Sequence, residues 1–144
     1  MLACDIVVAS EDSGFGTPEV NVGLWPMMIC ALIFRNVPRK KAMEMILLGE
    51  RISAADALGM GLITRVVPRE KLDEEVGRVL EALSSKSPVG MKIGKDAFYA
   101  VRDMPFEESL DFLSEKIKEV VSTEDAREGI TAFIEKRKPN FTGK

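Results

Sequence analysis

Leu2-Ala3-Cys4-Asp5-Ile6-Val7-Val8-Ala9 is almost free of polar residues, and within it Ile6 to Ala9 has the β-branched content and brevity of a strand covered on both faces. A buried strand needs neighbours. The other stretch of this kind is Leu62-Ile63-Thr64-Arg65-Val66-Val67, stopped by Pro68. Two strands so far apart in sequence make a poor sheet by themselves. The expectation is an α/β chain that begins in the middle of a sheet whose other strands come from residues outside it.

Everything else between and after these strands reads as turn or helix. Ser10 to Gly14 supplies turn residues. Phe15-Gly16-Thr17-Pro18-Glu19 cannot be helical throughout, because Pro18 pushes Thr17 out of the α region and Gly16 marks a special backbone angle or a close approach. A mostly apolar helix is predicted from Pro26 to Asn36 and a second from Arg39 to Leu48, with Ala42, Met45 and Ile46 on one face and Gly49 ending it. Ser53-Ala54-Ala55-Asp56 resembles a capping box that opens a short helix closed by Gly61. Beyond Pro68, helices are predicted from Lys71 to Ser85, from Ser87-Pro88 to Arg102, around Phe106 to Val121, and from the N-cap residues Ser122-Thr123 onward, the last carrying Ala126, Ile130, Phe133 and Ile134 on its packing face. The basic tail Lys136 to Phe141 is expected to fray.

The chain has 144 residues, of which 46% are hydrophobic and 30% charged, a composition that excludes disordered and low-complexity classes. At this length about two thirds of the unfolded chain's surface can be buried without help from disulfides or metals. Twenty basic against 23 acidic side chains give a net charge of −3, so no field draws in nucleic acid. The longest apolar run, Val22 to Phe34, is broken by Gly23 and Pro26, and no membrane partner is expected. There is no histidine, which removes Ser-His-Asp and Cys-His nucleophiles and most catalytic zinc sites; no metal and no cofactor are expected. Cys4 and Cys30 lie in apolar stretches and read as buried thiols, which suggests a reducing cytoplasm.

Glu19 is the carboxylate of most interest. A carboxylate held in apolar surroundings suits general acid or base work near neutral pH. On the residues alone it can equally serve the dipole of the helix that follows. Lys136-Arg137-Lys138 could grip a phosphate or simply complement a helix C-terminus. The methionines, Met27 and Met28 among them, fit core packing better than a ligand site.

In order and spacing, Ala3 to Ala9, then Phe15-Gly16-Thr17-Pro18-Glu19-Val20, Ala42-Met43-Glu44-Met45 through Gly49-Glu50-Arg51-Ile52-Ser53-Ala54, Ala57-Leu58-Gly59-Met60-Gly61-Leu62 and Glu128-Gly129-Ile130-Thr131-Ala132-Phe133-Ile134-Glu135-Lys136-Arg137 resemble the C-terminal half of the enoyl-CoA hydratase/isomerase family. The resemblance runs from Cys4 to Phe141. It implies the crotonase (ClpP-like) fold in its C-terminal portion, mostly helical with two short strands. Residues 1–68 would end the catalytic core, with its active-site loop and first helices, and residues 69–144 would form a helical oligomerisation region.

The resemblance also implies acyl-coenzyme A thioesters as substrates, with coenzyme A part of the substrate and no separate cofactor. In hydratases of the family two glutamates position and split a water that adds across the α,β double bond, while two backbone N–H groups hold the thioester oxygen. Glu19 falls on the second glutamate, with Gly16, Pro26 and Met27 on the substrate side. The first glutamate and the oxyanion donors fall in segments before Ala3, so an incomplete chain is expected, with a separate N-terminal half as one possible partner. Lys136 takes the place of a lysine that meets the coenzyme A phosphates, and Ile117 that of an apolar contact to the adenine. Trimers and hexamers in the family imply self-association. Where the family often carries a glycine-rich Pro-Gly-Ala-Gly-Gly run, this chain has Pro26-Met27-Met28-Ile29-Cys30, which implies a variant subfamily or an altered substrate. The alternative function is a non-catalytic acyl-CoA-binding or oligomerisation module.

Overall fold

In the computed structural model, which describes residues 1–144, the opening apolar run is strand for three residues only: β1, Val8–Ser10. Met1 to Cys4 turn back on themselves, the Cys4 N–H donating to the Met1 carbonyl at 2.9 Å. This leaves Cys4 exposed, so the expectation of two buried thiols holds for Cys30 alone. β1 pairs in parallel with β4, Arg65–Val67, Val8 standing opposite Arg65 and Ser10 opposite Val67. The Thr64 hydroxyl locks the start of this pair, accepting from the Val7 N–H at 2.9 Å and donating to the Val7 carbonyl at 2.8 Å. Two further strands, β2 (Gly14–Phe15) and β3 (Ile52–Ser53), pair antiparallel in a second small sheet. Gly16 is required there, since a Cβ would stand 2.8 Å from the Glu50 carbonyl oxygen.

The chain divides into two compact units, Met1–Arg78 and Val79–Lys144. In the first, α1 (Met27–Asn36) and α2 (Arg39–Leu48) are separated by Val37 and Pro38. Gly49 ends α2 in the left-handed region at φ 60°, where a side chain would be strained and its Cβ would meet Val20 at 2.6 Å. α3 (Ala54–Gly59) starts at Ser53, whose hydroxyl accepts from the Asp56 N–H at 3.1 Å and donates to the Asp56 carboxylate at 2.6 Å. Ile33, Val37, Ala42, Met45, Ile46, Ala54, Ala57, Leu62 and Ile63 form the core of this unit.

α4 (Leu72–Ser84) begins in the first unit and ends in the second. It is followed by α5 (Pro88–Ala100), α6 (Phe106–Val121) and α7 (Glu124–Ile134), with Ser87 and Thr123 as the caps of α5 and α7. The buried apolar positions of the second unit are the small or short side chains Val79, Ala97 and Ala132. Ile130, Phe133 and Ile134, expected to pack, are exposed, as are Met91 and Phe98.

The tail does not fray. Arg137 grips Glu128 through both Nη atoms, at 2.6 and 2.8 Å, and reaches Glu135 through Nε at 2.6 Å. The Asn140 N–H donates to Glu128, and the N–H groups of Thr142 and Gly143 donate to the buried Asp125 carboxylate. Of the three cations that looked like solvated charge on sequence alone, Arg137 is matched by carboxylates upstream.

Candidate functional site

Pro18 starts a turn of 3-10 helix, Pro18–Val22, which Gly23 closes at φ 76°. The Asn21 amide donates to the Gly49 carbonyl at 3.0 Å and ties this turn to the end of α2. Pro26 then occupies the cap position of α1, so the chain leaves the turn and enters the helix within a few residues. The consequence is that Glu19 and the first turns of α1 line one open cleft of about 520 Å³, with Trp25, Pro26, Met27, Met28, Ile29 and Leu32.

Apart from Glu19 that lining is apolar. Glu19 is half-buried, and its Oε2 is buried with no hydrogen-bond partner. A buried carboxylate oxygen without a donor is costly, and such atoms mark places where a ligand or water completes the set. Met27 and Met28 are 73% and 91% exposed, flexible apolar side chains at the rim of the cleft. The arrangement offers a proton acceptor beside a surface that suits an apolar chain.

Three of the expected site residues therefore come together: Glu19, Pro26 and Met27. Gly16 lines a different cleft, with Gly14, Glu50 and Arg51, where its missing side chain is accounted for by the Glu50 backbone. Ile117 and Lys136 belong to the second unit. Ile117 is exposed on α6, and Lys136 directly follows α7 and its cap residue Glu135 with φ 55°. Trp25, Met28, Ile29 and Leu32 were not singled out for the site by the sequence; the i, i+4 pair Met28 and Leu32 beside Trp25 is the signal that could have found them.

Lys136 sits in a helix-ending motif that normally takes glycine. The Arg137 N–H donates to the Ala132 carbonyl at 3.0 Å and the Lys136 N–H to Phe133 at 3.3 Å, the pair of bonds that requires a left-handed residue between them. Lys136 itself makes no ion pair, whereas its neighbour Arg137 is fully engaged. Hydrogen bonds from Arg137 and then from the Asn140 N–H hold the Glu128 carboxyl at about 2, well below the usual range. Burial works against ionisation of Asp125, but the Ser87 hydroxyl and the backbone N–H groups of Thr142 and Gly143 outweigh it and keep its carboxyl low as well. The segment carrying Lys136 is thus anchored on both sides.

A second cleft of about 450 Å³ lies between α2 and α3, lined by Lys41, Glu44, Met45, Glu50, Asp56 and Met60 among others. Its carboxylates Glu44 and Asp56 are already engaged by Lys41 and Ser53, and Glu50 is exposed. It offers no buried, unpartnered acid, so the Glu19 cleft is the better candidate.

The family model described as enoyl-CoA hydratase/isomerase matches residues 1–144. The chain is 42% identical over 137 residues to the mitochondrial enoyl-CoA hydratase domain-containing protein 3 of Rattus norvegicus, covering 95% of this chain and 46% of the relative. The crystal structure of the human domain-containing protein 3 superposes with a TM-score of 0.94 at 41% identity, covering 97% of this chain and 55% of that one. An enoyl-CoA hydratase from Mycobacterium smegmatis gives a TM-score of 0.94 at 34% identity, covering 97% and 55%. The chain spans about half the length of the curated relatives it matches.

The expectation of a cytoplasmic location is corrected by these relatives, since the proteins from rat, mouse, Xenopus laevis and human are all named mitochondrial. Two unpaired cysteines do not identify a compartment.

Proposed function

Because the chain belongs to the enoyl-CoA hydratase/isomerase family, we propose that it contributes one acid–base carboxylate, Glu19, to the hydration of an α,β-unsaturated acyl-CoA. The observation that carries this reading is the unpartnered, buried Oε2 of Glu19 in an apolar cleft. As a carboxylate, Glu19 accepts one proton of a water whose oxygen bonds to the β-carbon. The π electrons move onto the thioester oxygen as an enolate, and the proton returns to the α-carbon, so that one water is added and Glu19 is regenerated. The thioester oxygen needs fixed donors as its charge develops, and these, with a second glutamate, would come from a segment equivalent to the half of the relatives that this chain does not match. Pro26 and Met27 would border the acyl chain. Gly16 would stand on the substrate side, Lys136 would meet the coenzyme A phosphates and Ile117 the adenine, with residues 69–144 serving self-association into a trimer or hexamer.

Support for the role of Lys136 is its free ammonium on an anchored backbone; support for Met27 is its exposed place at the rim of the Glu19 cleft. The test is complementation. The chain is combined with the unmatched half of human enoyl-CoA hydratase domain-containing protein 3, and the loss of the conjugated double bond of crotonyl-CoA is followed. Glu19→Gln is expected to lower turnover by at least 10²-fold, within the range that acid–base groups supply. Undiminished turnover in that variant would overturn the reading.

A further inference from the structure

Thr17 stands between β2 and the turn Pro18–Val22, at the position that caps the turn's first N–H groups. Threonine is favoured at such a position because its Oγ accepts from an N–H two or three residues on. Here it makes no such bond. The side chain is only 6% exposed, and its Oγ1 is buried with no partner at all. A single other buried side-chain polar atom in the chain shares that condition: Oε2 of Glu19, two residues away across Pro18.

The two orphaned groups stand two residues apart in the chain, and each has capacity for a hydrogen bond that no protein group fills. Their chemistry is complementary toward water. An ionised carboxylate can only accept, whereas a hydroxyl can also donate. A buried water needs at least two polar partners. We propose that Thr17 is a positioning residue for the water on which Glu19 acts. The Thr17 hydroxyl donates to the water oxygen and one water O–H points at Glu19 Oε2. This leaves the second lone pair of the oxygen free to approach the β-carbon. The proposal rests on the reading of Glu19 as the acid–base group.

The test uses the complemented enzyme and the chain alone, with Thr17→Val, Thr17→Ser and Glu19→Gln. Thr17→Val keeps the shape and removes the hydroxyl. It is expected to lower kcat about tenfold or more with KM within twofold, and Thr17→Ser is expected to restore kcat to within threefold of the parent. In the isolated chain Thr17→Val should unfold at the same or higher urea concentration, because no protein group loses a hydrogen bond when the hydroxyl is replaced by a methyl group. Unchanged kcat in Thr17→Val beside an inactive Glu19→Gln would overturn the proposal and leave the Glu19 reading standing. An active Glu19→Gln would remove both. A lower urea midpoint for Thr17→Val would show that the hydroxyl has a partner inside the fold and would also overturn it.

Discussion

Lys136 is the residue at which stability and proposed function conflict. Its φ of 55° is the only positive φ among the non-glycine residues, and it falls where helix ends favour glycine. An L-residue held there costs about 1 kcal/mol relative to glycine. Nothing in the chain offsets this through the side chain, since the ammonium makes no ion pair. Strain of this kind persists where the surrounding structure over-determines the backbone, as the two helix-ending hydrogen bonds do here, and it clusters at ligand sites. Lys136→Gly should therefore raise the stability of the isolated chain by about 1 kcal/mol in urea denaturation. The same change should weaken coenzyme A binding by the complemented enzyme, read by calorimetry. A variant that is stabilised and binds as before would show that the lysine does not serve the ligand.

At the level of elements, the sequence reveals most where a periodic apolar face meets a clear stop. α2 is the plainest case: Ala42, Met45 and Ile46 are buried and Gly49 is left-handed, as the spacing predicts. β2 and β3 escape sequence reading because two residues carry no period. The exposed face of α7 differs for another reason. Its spacing correctly predicts an amphipathic helix, but periodicity says that a face is apolar and not what covers it. In the site, Glu19 stands out in the sequence through its Gly-Thr-Pro-Glu setting. Thr17 does not, because a threonine before proline reads as an ordinary turn residue until its missing bond is seen. The docked tail was hidden because its partners, Asp125 and Glu128, act through backbone N–H groups and a single arginine.

That docking makes the tail acid-sensitive. Glu128 is held at about 2 against an ordinary value of 4.5, and Asp125 lies below 3.8. Carboxylates depressed by folding stabilise the native state above their unfolded values, and that contribution is lost as pH falls through the folded ones. Amide exchange of residues 140–144 should accordingly speed up as pH is lowered from about 4.5 toward about 2, after correction for intrinsic exchange. Glu75, also held at about 2 by Arg78 and Arg65, adds the same trend in the first unit, which is why the tail itself must be read. Glu128→Gln should loosen the tail already at neutral pH and flatten the dependence.

For the molecule as a whole, the decisive quantity is surface. Each of the two units leaves large apolar side chains in water. Among the exposed side chains are Phe98, Phe106, Ile117, Ile130, Phe133 and Ile134 in the second unit, and Val22, Leu24, Met27 and Met28 in the first. Apolar surface on this scale binds hydrophobic dyes and promotes association. If the unmatched half of a relative completes the fold, it must take part of this surface out of water. The isolated chain should therefore bind a naphthalene-sulfonate dye strongly and elute as an oligomer in light-scattering chromatography. Adding the unmatched half of the human domain-containing protein 3 should reduce the dye signal at least twofold before any substrate is present. Met28→Ser and Phe133→Ser separate the contributions: the first should lower the dye signal from the Glu19 cleft, the second the association through α7. Dye binding that stays unchanged when the half is added, in a mixture that hydrates crotonyl-CoA, would show that these faces remain in water in the working protein.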